Sequence, residues 1–258
     1  MKNIKTIQSD KMKDEYVLLL GKRNYLVKRS KGKFNTHFGE IDLSKLAKKK
    51  VGDKIKTHTG ETFVIASPTL MDLLVKKAKR LPQIITPQDA ALILAYTGIS
   101  TKSLIVDAGS GSGFLSIFLA HYCKDGKVIS YEINEKFAQV AKSNVELVGL
   151  KNVTIKNKDI LKSIDEKNVD LVTLDMKDAE TNIKNAYKAL KVGGWLVVYS
   201  PYIEQVKEVV SKMRSLGFID ILTVENIKRE WQVSDYTRPK TLGVVHTGWL
   251  TFGRKFDD

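Results

Sequence analysis

From residue 87 onward, short apolar segments alternate with segments in which apolar residues recur every three or four positions. The first kind is rich in valine and isoleucine and predicts buried strands, whereas the second predicts amphipathic helices. The predicted strands are SLIVDAG, KVISYEI, VTIKNKD, VDLVTLDM and WLVVYSP. Since strands separated by helices usually pair in parallel, the pattern predicts an α/β fold with a mostly parallel sheet covered on both faces.

The last two predicted strands, DILTVENIKREWQV and HTGWLTFGRK, have no helix between them. This arrangement predicts an antiparallel hairpin at the edge of the sheet. Within and after the first of these strands, Trp231 and Tyr236 are interpreted as core residues, with aromatic residues at the rim of the site as the alternative. A helix opened by Pro87 is expected to stop at Gly98.

The first 80 residues have a different pattern, in which β-branched and aromatic pieces are broken by Gly, Asn and Ser. EYVLLLG, NYLVKRS, KIKTHTG and TFVIAS predict short strands, and LSKLAKKKVGDKI predicts a helical or turn segment between them. The chain is therefore expected to contain a small β-domain in residues 1–80 and an α/β domain in residues 81–258.

The net charge of +14 is concentrated in the first of these domains. Residues 1–81 contain 20 Lys and Arg against 8 Asp and Glu, whereas residues 82–258 contain 23 against 21. A segregated basic block favours binding to a polyanion, most simply a nucleic acid. The alternative is that these lysines are solvent-exposed surface residues without a binding role. Candidate contacts are Lys22, Arg23, Lys28, Arg29 and Lys31.

Composition excludes several other classes of site. The single cysteine, Cys123, precludes a disulfide within the chain and a cysteine-based zinc site, and the four histidines lack metal-ligand spacing, so no metal is expected. The first residues lack the apolar core of a signal peptide, and the longest apolar run, AALILAY, is too short to span a bilayer. A cytoplasmic protein without a membrane segment is the expectation.

A glycine-rich loop follows the first strand of the predicted parallel sheet. Residues 107–113 read DAGSGSG, and such a loop binds a nucleotide-like ligand at the following helix N-terminus. The dinucleotide pattern G-x-G-x-x-G is not met, because Phe114 occupies its third glycine position. The loop instead resembles motif I of the S-adenosylmethionine-dependent methyltransferases. The structural alternative is a tight turn that needs glycine only for its backbone.

Acidic residues close the next three predicted strands. Glu132, 19 residues after Gly113, is placed to accept hydrogen bonds from ribose hydroxyls. Asp159 is placed to accept one from an adenine amino group, and Ile160 to pack on the ring. Asp175 lies where methyltransferases carry the residue that faces the methyl acceptor, but Asp175-Met176-Lys177-Asp178 lacks the prolines typical of enzymes that methylate exocyclic amines.

Several longer stretches together resemble the tRNA (adenine-N1)-methyltransferase family, whose archaeal and bacterial enzymes modify adenosine 58 of the T-loop. They are PQIITPQDAA, DAGSGSG, SYEI, LDM, YSPYIEQV, Arg238-Pro239 and HTGWL, with GKFNTHFGEIDL and KTHTGETF in the first domain. The resemblance covers nearly the whole chain. It implies a small N-terminal β-domain, a Rossmann-like class I methyltransferase domain with a seven-stranded sheet, a homotetramer and a tRNA substrate.

The resemblance also implies roles for individual residues. The S-adenosylmethionine site would comprise Ile85, Gly109, Ser110, Gly111, Ser112, Gly113, Glu132, Asp159, Ile160 and Asp175. Asp175 would also be the catalytic acid, and the substrate would lie near Gln83, Ser200, Pro201, Arg238 and His246.

Three positions depart from the family pattern. Thr86 stands where an aromatic residue or histidine is common, Lys177 stands where proline is usual, and Trp249 stands where tyrosine is more common. Archaeal members of the family can also methylate adenosine 57, and the sequence does not settle whether this protein does. Two alternatives stay open: a methyltransferase of this fold for another acceptor, and a non-catalytic tRNA-binding subunit.

Overall fold

The structure is a computed structural model that describes residues 15–81, 85–241 and 248–257. These residues form two compact units. The first comprises the described residues up to Arg80 together with Lys142–Lys151, and the second comprises the described residues of Leu81–Ala141 and of the chain from Asn152 onward. None of the described helices is both long and apolar enough to cross a membrane.

The first unit is built on a four-stranded antiparallel sheet in the order β2-β1-β6-β5. The strands are β1 (Tyr16–Leu20), β2 (Tyr25–Lys28), β5 (Lys54–Lys56) and β6 (Thr62–Ala66), with a separate hairpin of β3 (Lys33–Thr36) and β4 (Gly39–Asp42). A 3₁₀ helix, Leu43–Lys48, follows the hairpin, and helix α1 (Leu70–Lys76) follows β6. Leu19, Ile41 and Phe63 are fully buried in the core of this unit.

A seven-stranded sheet forms the second unit, in the order β12-β15-β11-β10-β7-β8-β9. Its strands are β7 (Leu104–Ala108), β8 (Lys127–Tyr131), β9 (Val153–Lys156), β10 (Val169–Leu174), β11 (Leu190–Ser200), β12 (Ile219–Glu225) and β15 (Trp249–Arg254). The five strands from β11 to β9 are parallel, and β15 is antiparallel to both of its neighbours. The predicted α/β fold class and the antiparallel pair at the sheet edge are confirmed.

Helices alternate with the strands of this sheet. They are α2 (Pro87–Thr97), α3 (Phe114–Tyr122), α4 (Glu135–Val148), α5 (Ile183–Ala189) and α6 (Ile203–Ser215), with a 3₁₀ helix at Ala179–Asn182. The end of α4, from Lys142 onward, belongs to the first unit. Helix α2 has Pro87 at its first position and ends at Gly98, which adopts the left-handed conformation expected of a helix-terminating glycine. Thr86, one of the departures from the family pattern, caps this helix by accepting a hydrogen bond from the Asp89 amide.

The structure corrects the prediction for residues 220–233. The strand DILTVENIKREWQV ends at Glu225, and a separate two-residue strand, β13 (Trp231–Gln232), pairs with β14 (Arg238–Pro239). Trp231 and Tyr236 are 53% and 86% exposed, so their interpretation as core residues was wrong. Apolar composition alone made this segment resemble a buried strand.

Candidate functional site

The glycine loop lies where the order of the sheet reverses. Strand β7 is flanked by β8 on one side and β10 on the other, so the chain leaves β7 at a topological switch point, where open α/β sheets bind their ligands. Gly109, Gly111 and Gly113 all have positive φ angles, of 52°, 53° and 78°. A residue with a Cβ adopts this conformation at a cost, which explains the repeated glycine.

Gly109 also packs directly on the end of β10. The Asp175 amide donates to the Ala108 carbonyl oxygen at 2.7 Å, and a Cβ at residue 109 would lie 2.2 Å from the Asp175 carbonyl oxygen. At Gly111, by contrast, the atom nearest to an added Cβ is the Gly109 carbonyl oxygen, at 3.9 Å. Gly109 therefore fixes the loop against Asp175, whereas the space beside Gly111 is open to a ligand.

Glu132 ties the glycine loop to the end of β8. Its Oε2 accepts from the Gly111 amide and its Oε1 from the Asn134 amide, each at 2.9 Å. The side chain is 7% exposed. Each carboxylate oxygen can accept a further hydrogen bond, so the geometry is compatible with the predicted binding of ribose hydroxyls.

The adenine side of the predicted site is a loop after β9. Asp159 Oδ1 accepts from the Leu161 amide at 2.9 Å, and no other described residue donates to this carboxylate. Ile160 beside it is 4% exposed. Asn157, which the sequence reasoning missed, donates from Nδ2 to the carbonyl oxygens of Glu132 and Ile133 at 2.8 and 3.1 Å. The Asn157 side chain thus links the loop after β9, on the predicted adenine side, to the end of β8, on the predicted ribose side.

A buried polar network holds the far end of the same loop. Tyr131, 1% exposed, donates its hydroxyl to Glu166 at 2.6 Å and accepts from the Asp165 amide at 3.2 Å. Lys156 Nζ reaches the Tyr131 hydroxyl at 3.3 Å and the Glu166 carboxylate at 2.6 Å. Burial raises the pKa of Tyr131, and the bond to Glu166 raises it further, so the phenol stays protonated and donates.

Tyr131→Phe should therefore destabilise the protein by about 1–3 kcal/mol, because it leaves the enclosed Glu166 carboxylate without a hydroxyl donor. Urea-induced unfolding would measure the loss. Tyr122→Phe is the matched control, since that tyrosine is 51% exposed and its hydroxyl has no hydrogen bond among the described residues. Equal unfolding free energies for the two variants would show that the network contributes nothing.

Asp107, the first residue of the glycine motif, is enclosed beneath the loop. Its carboxylate accepts from the hydroxyls of Ser130 at 2.6 Å and Thr173 at 2.7 Å, and Ser130 also bonds to the hydroxyl of Ser110 at 2.6 Å. Burial raises the pKa of Asp107, the two hydroxyl donors oppose this shift, and the negative charge of Glu132 adds to it. Asp107 therefore supports Ser110 from below and does not line the cleft.

Asp175 is the acid at the rim of the cleft. The residue as a whole is partly exposed just after β10, but its carboxylate is largely removed from water. No described residue hydrogen-bonds to this side chain. Desolvation, with the nearby charge of Asp107, raises the pKa of Asp175 to about 7. Asp175 is thus a carboxyl group that changes its protonation near neutral pH and has open acceptor capacity.

The raised pKa of Asp175 predicts a pH-dependent contribution to stability. The pKa of an unfolded aspartate is about 3.9, so between about pH 4 and 7 the folded state binds more protons than the unfolded state. The free energy of unfolding therefore falls as the pH rises from about 4 to about 7. Asp175→Asn should stabilise the protein more at pH 8 than at pH 5, measured by urea unfolding at both pH values. A constant difference between variant and parent would contradict the shift.

Tyr199 is a residue that the sequence reasoning missed and whose pKa is affected by the charge of Asp175. It lies one residue before the end of β11, and burial together with the charges of Asp175 and Asp89 raises its pKa to about 12. A Cβ at Gly248 would lie 2.6 Å from the Tyr199 hydroxyl oxygen. Ser200, the next residue and a predicted substrate contact, is buried at 2% exposure, and its predicted role stays a prediction.

The remaining predicted residues divide into three groups. Ile85, Ser110, Ser112 and Asp175 line one cleft with Gly109, Gly111, Phe114 and Leu115. Pro201 is partly exposed just after β11, and Arg238 is exposed on β14, a separate two-stranded ribbon. Gln83 and His246 lie outside the described residues, so their predicted roles stay predictions. Among the described residues, no group of three or more His, Cys, Asp or Glu is arranged to hold a metal ion.

Comparison with known proteins agrees with this architecture. The profile of a family described as "tRNA methyltransferase complex GCD14 subunit" matches residues 63–241. The tRNA (adenine(57)-N(1)/adenine(58)-N(1))-methyltransferase of Methanocaldococcus jannaschii is 38% identical over 93% of this chain and 94% of its own length. The chain belongs to this tRNA methyltransferase family. The resemblance noted from the sequence is therefore confirmed.

Solved structures of two methyltransferases share the whole fold. One from Thermotoga maritima, described as a SAM-dependent O-methyltransferase, is 35% identical, with a TM-score of 0.87 over 95% of this chain and 94% of that chain. The tRNA (m1A58) methyltransferase of Aquifex aeolicus is 26% identical, with a TM-score of 0.81 over 95% of this chain and 98% of that chain. The seven-stranded unit is thus a methyltransferase fold, and both relatives extend over the N-terminal β unit as well.

Proposed function

We propose that this protein methylates N1 of adenosine 58 in the T-loop of tRNA with S-adenosylmethionine, in the cytoplasm. The observation that carries the proposal is the Asp175 carboxylate, which has no hydrogen-bond partner among the described residues and lies beside a glycine loop at the switch point of a methyltransferase sheet. Membership of the tRNA methyltransferase family supports the acceptor.

The residues of the cleft fit S-adenosylmethionine. The open space beside the Gly111 backbone admits close approach of a ligand, and Glu132 and Asp159 offer acceptors for hydroxyl and amino groups. We propose that Ile85, Ser110 and Ser112 complete this site with the loop glycines and Ile160. When bound, S-adenosylmethionine supplies an electrophilic methyl group on its sulfonium.

Asp175 then acts on the adenine. N1 carries a lone pair, so no strong base is needed to expose it, and the reaction depends on position. In its ionised form, Asp175 accepts a hydrogen bond from the exocyclic amine and stabilises the positive charge that develops on the ring as N1 gains the methyl group. A carboxylate in a poorly solvated site interacts strongly with such charge.

The alternative of another acceptor has one observation in its favour, the description of the Thermotoga maritima relative as an O-methyltransferase. An oxygen acceptor must lose a proton, and the pKa of about 7 at Asp175 would suit a general base for that step. Mass spectrometry of nucleosides from tRNA treated with the protein separates N1 methylation from methylation of an oxygen on the RNA, because N1-methyladenosine and 2′-O-methylated nucleosides differ in chromatographic retention and fragmentation.

The decisive experiment is incubation of the purified protein with labelled S-adenosylmethionine and unmodified tRNA transcript, followed by digestion and mass spectrometry of the nucleosides. N1-methyladenosine that disappears in a transcript with guanosine at position 58 would support the proposal, and a second transcript with guanosine at 57 would show whether that position is also a target. Cofactor binding without methylation of RNA would contradict it, and absence of cofactor binding would favour a non-catalytic subunit.

The assembly that we propose, from the family resemblance, is a homotetramer. Exposed apolar side chains on and beside the β13–β14 ribbon, including Trp231, Val233 and Tyr236, provide surface for contacts between subunits. Light scattering coupled to size-exclusion chromatography would test the tetramer, and a monomer across the micromolar range would contradict it.

A further inference from the structure

The cations that first suggested nucleic-acid binding are mostly engaged within the protein. Lys22 pairs with Glu61 at 3.2 Å and Lys28 with Glu15 at 2.5 Å. Arg23 bonds to His37 at 2.7 Å, and Arg29 donates to the Leu46 carbonyl oxygen. Each of these groups would have to give up a partner before it could bind a phosphate, so they are weaker candidates for polyanion binding than the sequence predicted.

A second basic segment of the first unit differs in this respect. Residues 43–56 contain six lysines and one acidic residue, Asp53. Lys48, Lys50, Lys54 and Lys56 are exposed, and none of them pairs with a carboxylate among the described residues. We call these four residues the lysine patch. Asp53 is turned inward to the backbone, because its Oδ2 accepts from the Lys50 amide at 2.8 Å.

The backbone of this segment brings the lysine patch together. Leu46, buried in the core, anchors the 3₁₀ helix that ends at Lys48. The Asp53 amide donates to the Lys50 carbonyl oxygen at 3.1 Å, which closes a tight turn with Gly52 at a φ of 92°. Such a turn holds its end residues within about 7 Å, so Lys50 lies close to the start of β5.

Strand β5 extends the same surface. Ile55 is 3% exposed, and side chains alternate along a strand, so Lys54 and Lys56 share the opposite face. Strand β5 is also the edge of its sheet. Lysines on an edge strand discourage pairing with other chains, which is the structural alternative to a binding role. That alternative accounts for Lys54 and Lys56 but not for Lys48 and Lys50, which lie outside the strand.

Another basic cluster, after helix α1, is more constrained. Lys77 lies over the Tyr16 ring at 5.9 Å, and Arg80 donates to the Val75 carbonyl oxygen at 3.3 Å. By contrast, the four ammonium groups of the lysine patch make no ion pair, hydrogen bond or ring contact among the described residues. Flexible ammonium groups of this kind bind phosphates as point charges without reading sequence.

We infer that the lysine patch, and not the paired cations of residues 22–29, binds the phosphate backbone of the RNA substrate. The inference rests on the proposed function, because it takes tRNA as the polyanion. Contacts to phosphates fix the orientation of a nucleic acid without base specificity, so the lysine patch would position the folded tRNA and leave recognition of the target base to the methyltransferase unit.

The test compares two triple variants that remove the same charge. Lys48→Gln/Lys50→Gln/Lys54→Gln removes unpaired cations, and Lys22→Gln/Lys28→Gln/Lys33→Gln removes cations that pair with Glu61, Glu15 and Glu40. The tRNA dissociation constant is measured between 50 and 200 mM salt. Three lost phosphate contacts lower the salt slope by about 2.7, so the parent should lose about 40-fold more affinity than the patch variant over this range.

The control variant should keep a slope close to that of the parent, and the triple substitution of the patch lysines by arginine should restore both affinity and slope. Equal slopes in both glutamine variants, or an unchanged slope in the patch variant, would overturn the inference. In either case, continued methylation of tRNA by the parent would leave the proposed function standing. Thermal unfolding and cofactor affinity verify that the variants fold.

Discussion

Asp175→Asn is expected to lower the single-turnover rate of tRNA methylation about 10²-fold or more while leaving affinity for S-adenosylmethionine within a few-fold of the parent. The substitution keeps the shape of the side chain and removes its charge. Asp175 has no hydrogen-bond partner among the described residues, so it contributes little to holding the cleft together, and its loss should affect the reacting base and not the fold.

The matched control is Asp178→Asn. Asp178 is exposed three residues farther along the same segment, has a φ of 56°, and its side chain makes no capping hydrogen bond. Asparagine tolerates this conformation, so the control should keep the parent's rate. Single-turnover kinetics give the rate, and isothermal titration gives the cofactor affinity. Full turnover by Asp175→Asn would remove Asp175 from the mechanism, and loss of cofactor binding alone would assign it a binding role.

The pH dependence of the rate gives a second readout on the same residue. If the ionised carboxylate is the active form, the rate of the parent rises with pH through about 7, the pKa to which burial and Asp107 raise Asp175. The variant should lack this rise. A loss of activity through misfolding would lower the rate at every pH by the same factor, so the profile separates a chemical role from a structural one.

The sequence predicted the residues at the strand ends because their placement follows from topology. Once the parallel alternation was recognised, Glu132, Asp159 and Asp175 had to lie at one edge of the sheet, beside the glycine loop. The predicted cleft residues Ile85, Ser110 and Ser112 also line this edge. Their roles in binding and catalysis stay predictions, and so does the tRNA-docking role of the first domain.

Other features depended on tertiary contacts that leave little trace in the sequence. Asn157 joins two loops through backbone carbonyls, and the partners Tyr131 and Glu166 are 35 residues apart. Strands β3 and β4 were missed because KFNT and GEID are mainly polar, with one buried residue, Ile41, between them. The pairing of Lys22 with Glu61 and of Lys28 with Glu15 likewise became visible only in the structure. Because these lysines are paired, we now infer that the lysine patch is the surface that binds the polyanion.

Gly109→Ala is expected to be the most damaging single-methyl change in the glycine loop. The new Cβ would lie 2.2 Å from the Asp175 carbonyl oxygen, which is backbone and cannot move aside without shifting the end of β10. The left-handed φ of 52° adds strain of about 1–2 kcal/mol. Together, the clash and the strain should cost more than about 3 kcal/mol of unfolding free energy and displace the Asp175 carboxylate.

Gly111→Ala separates the two effects, because Gly111 has nearly the same φ of 53° but no atom closer than 3.9 Å to the added carbon. Its cost should be limited to the strain, about 1–2 kcal/mol, when urea unfolding is measured without cofactor. In single-turnover assays at saturating cofactor, Gly109→Ala should lose the rate that Asp175 provides, whereas Gly111→Ala should mainly weaken cofactor binding. Equal stabilities for the two variants would show that the loop does not rest on β10, and the position of Asp175 would then need another explanation.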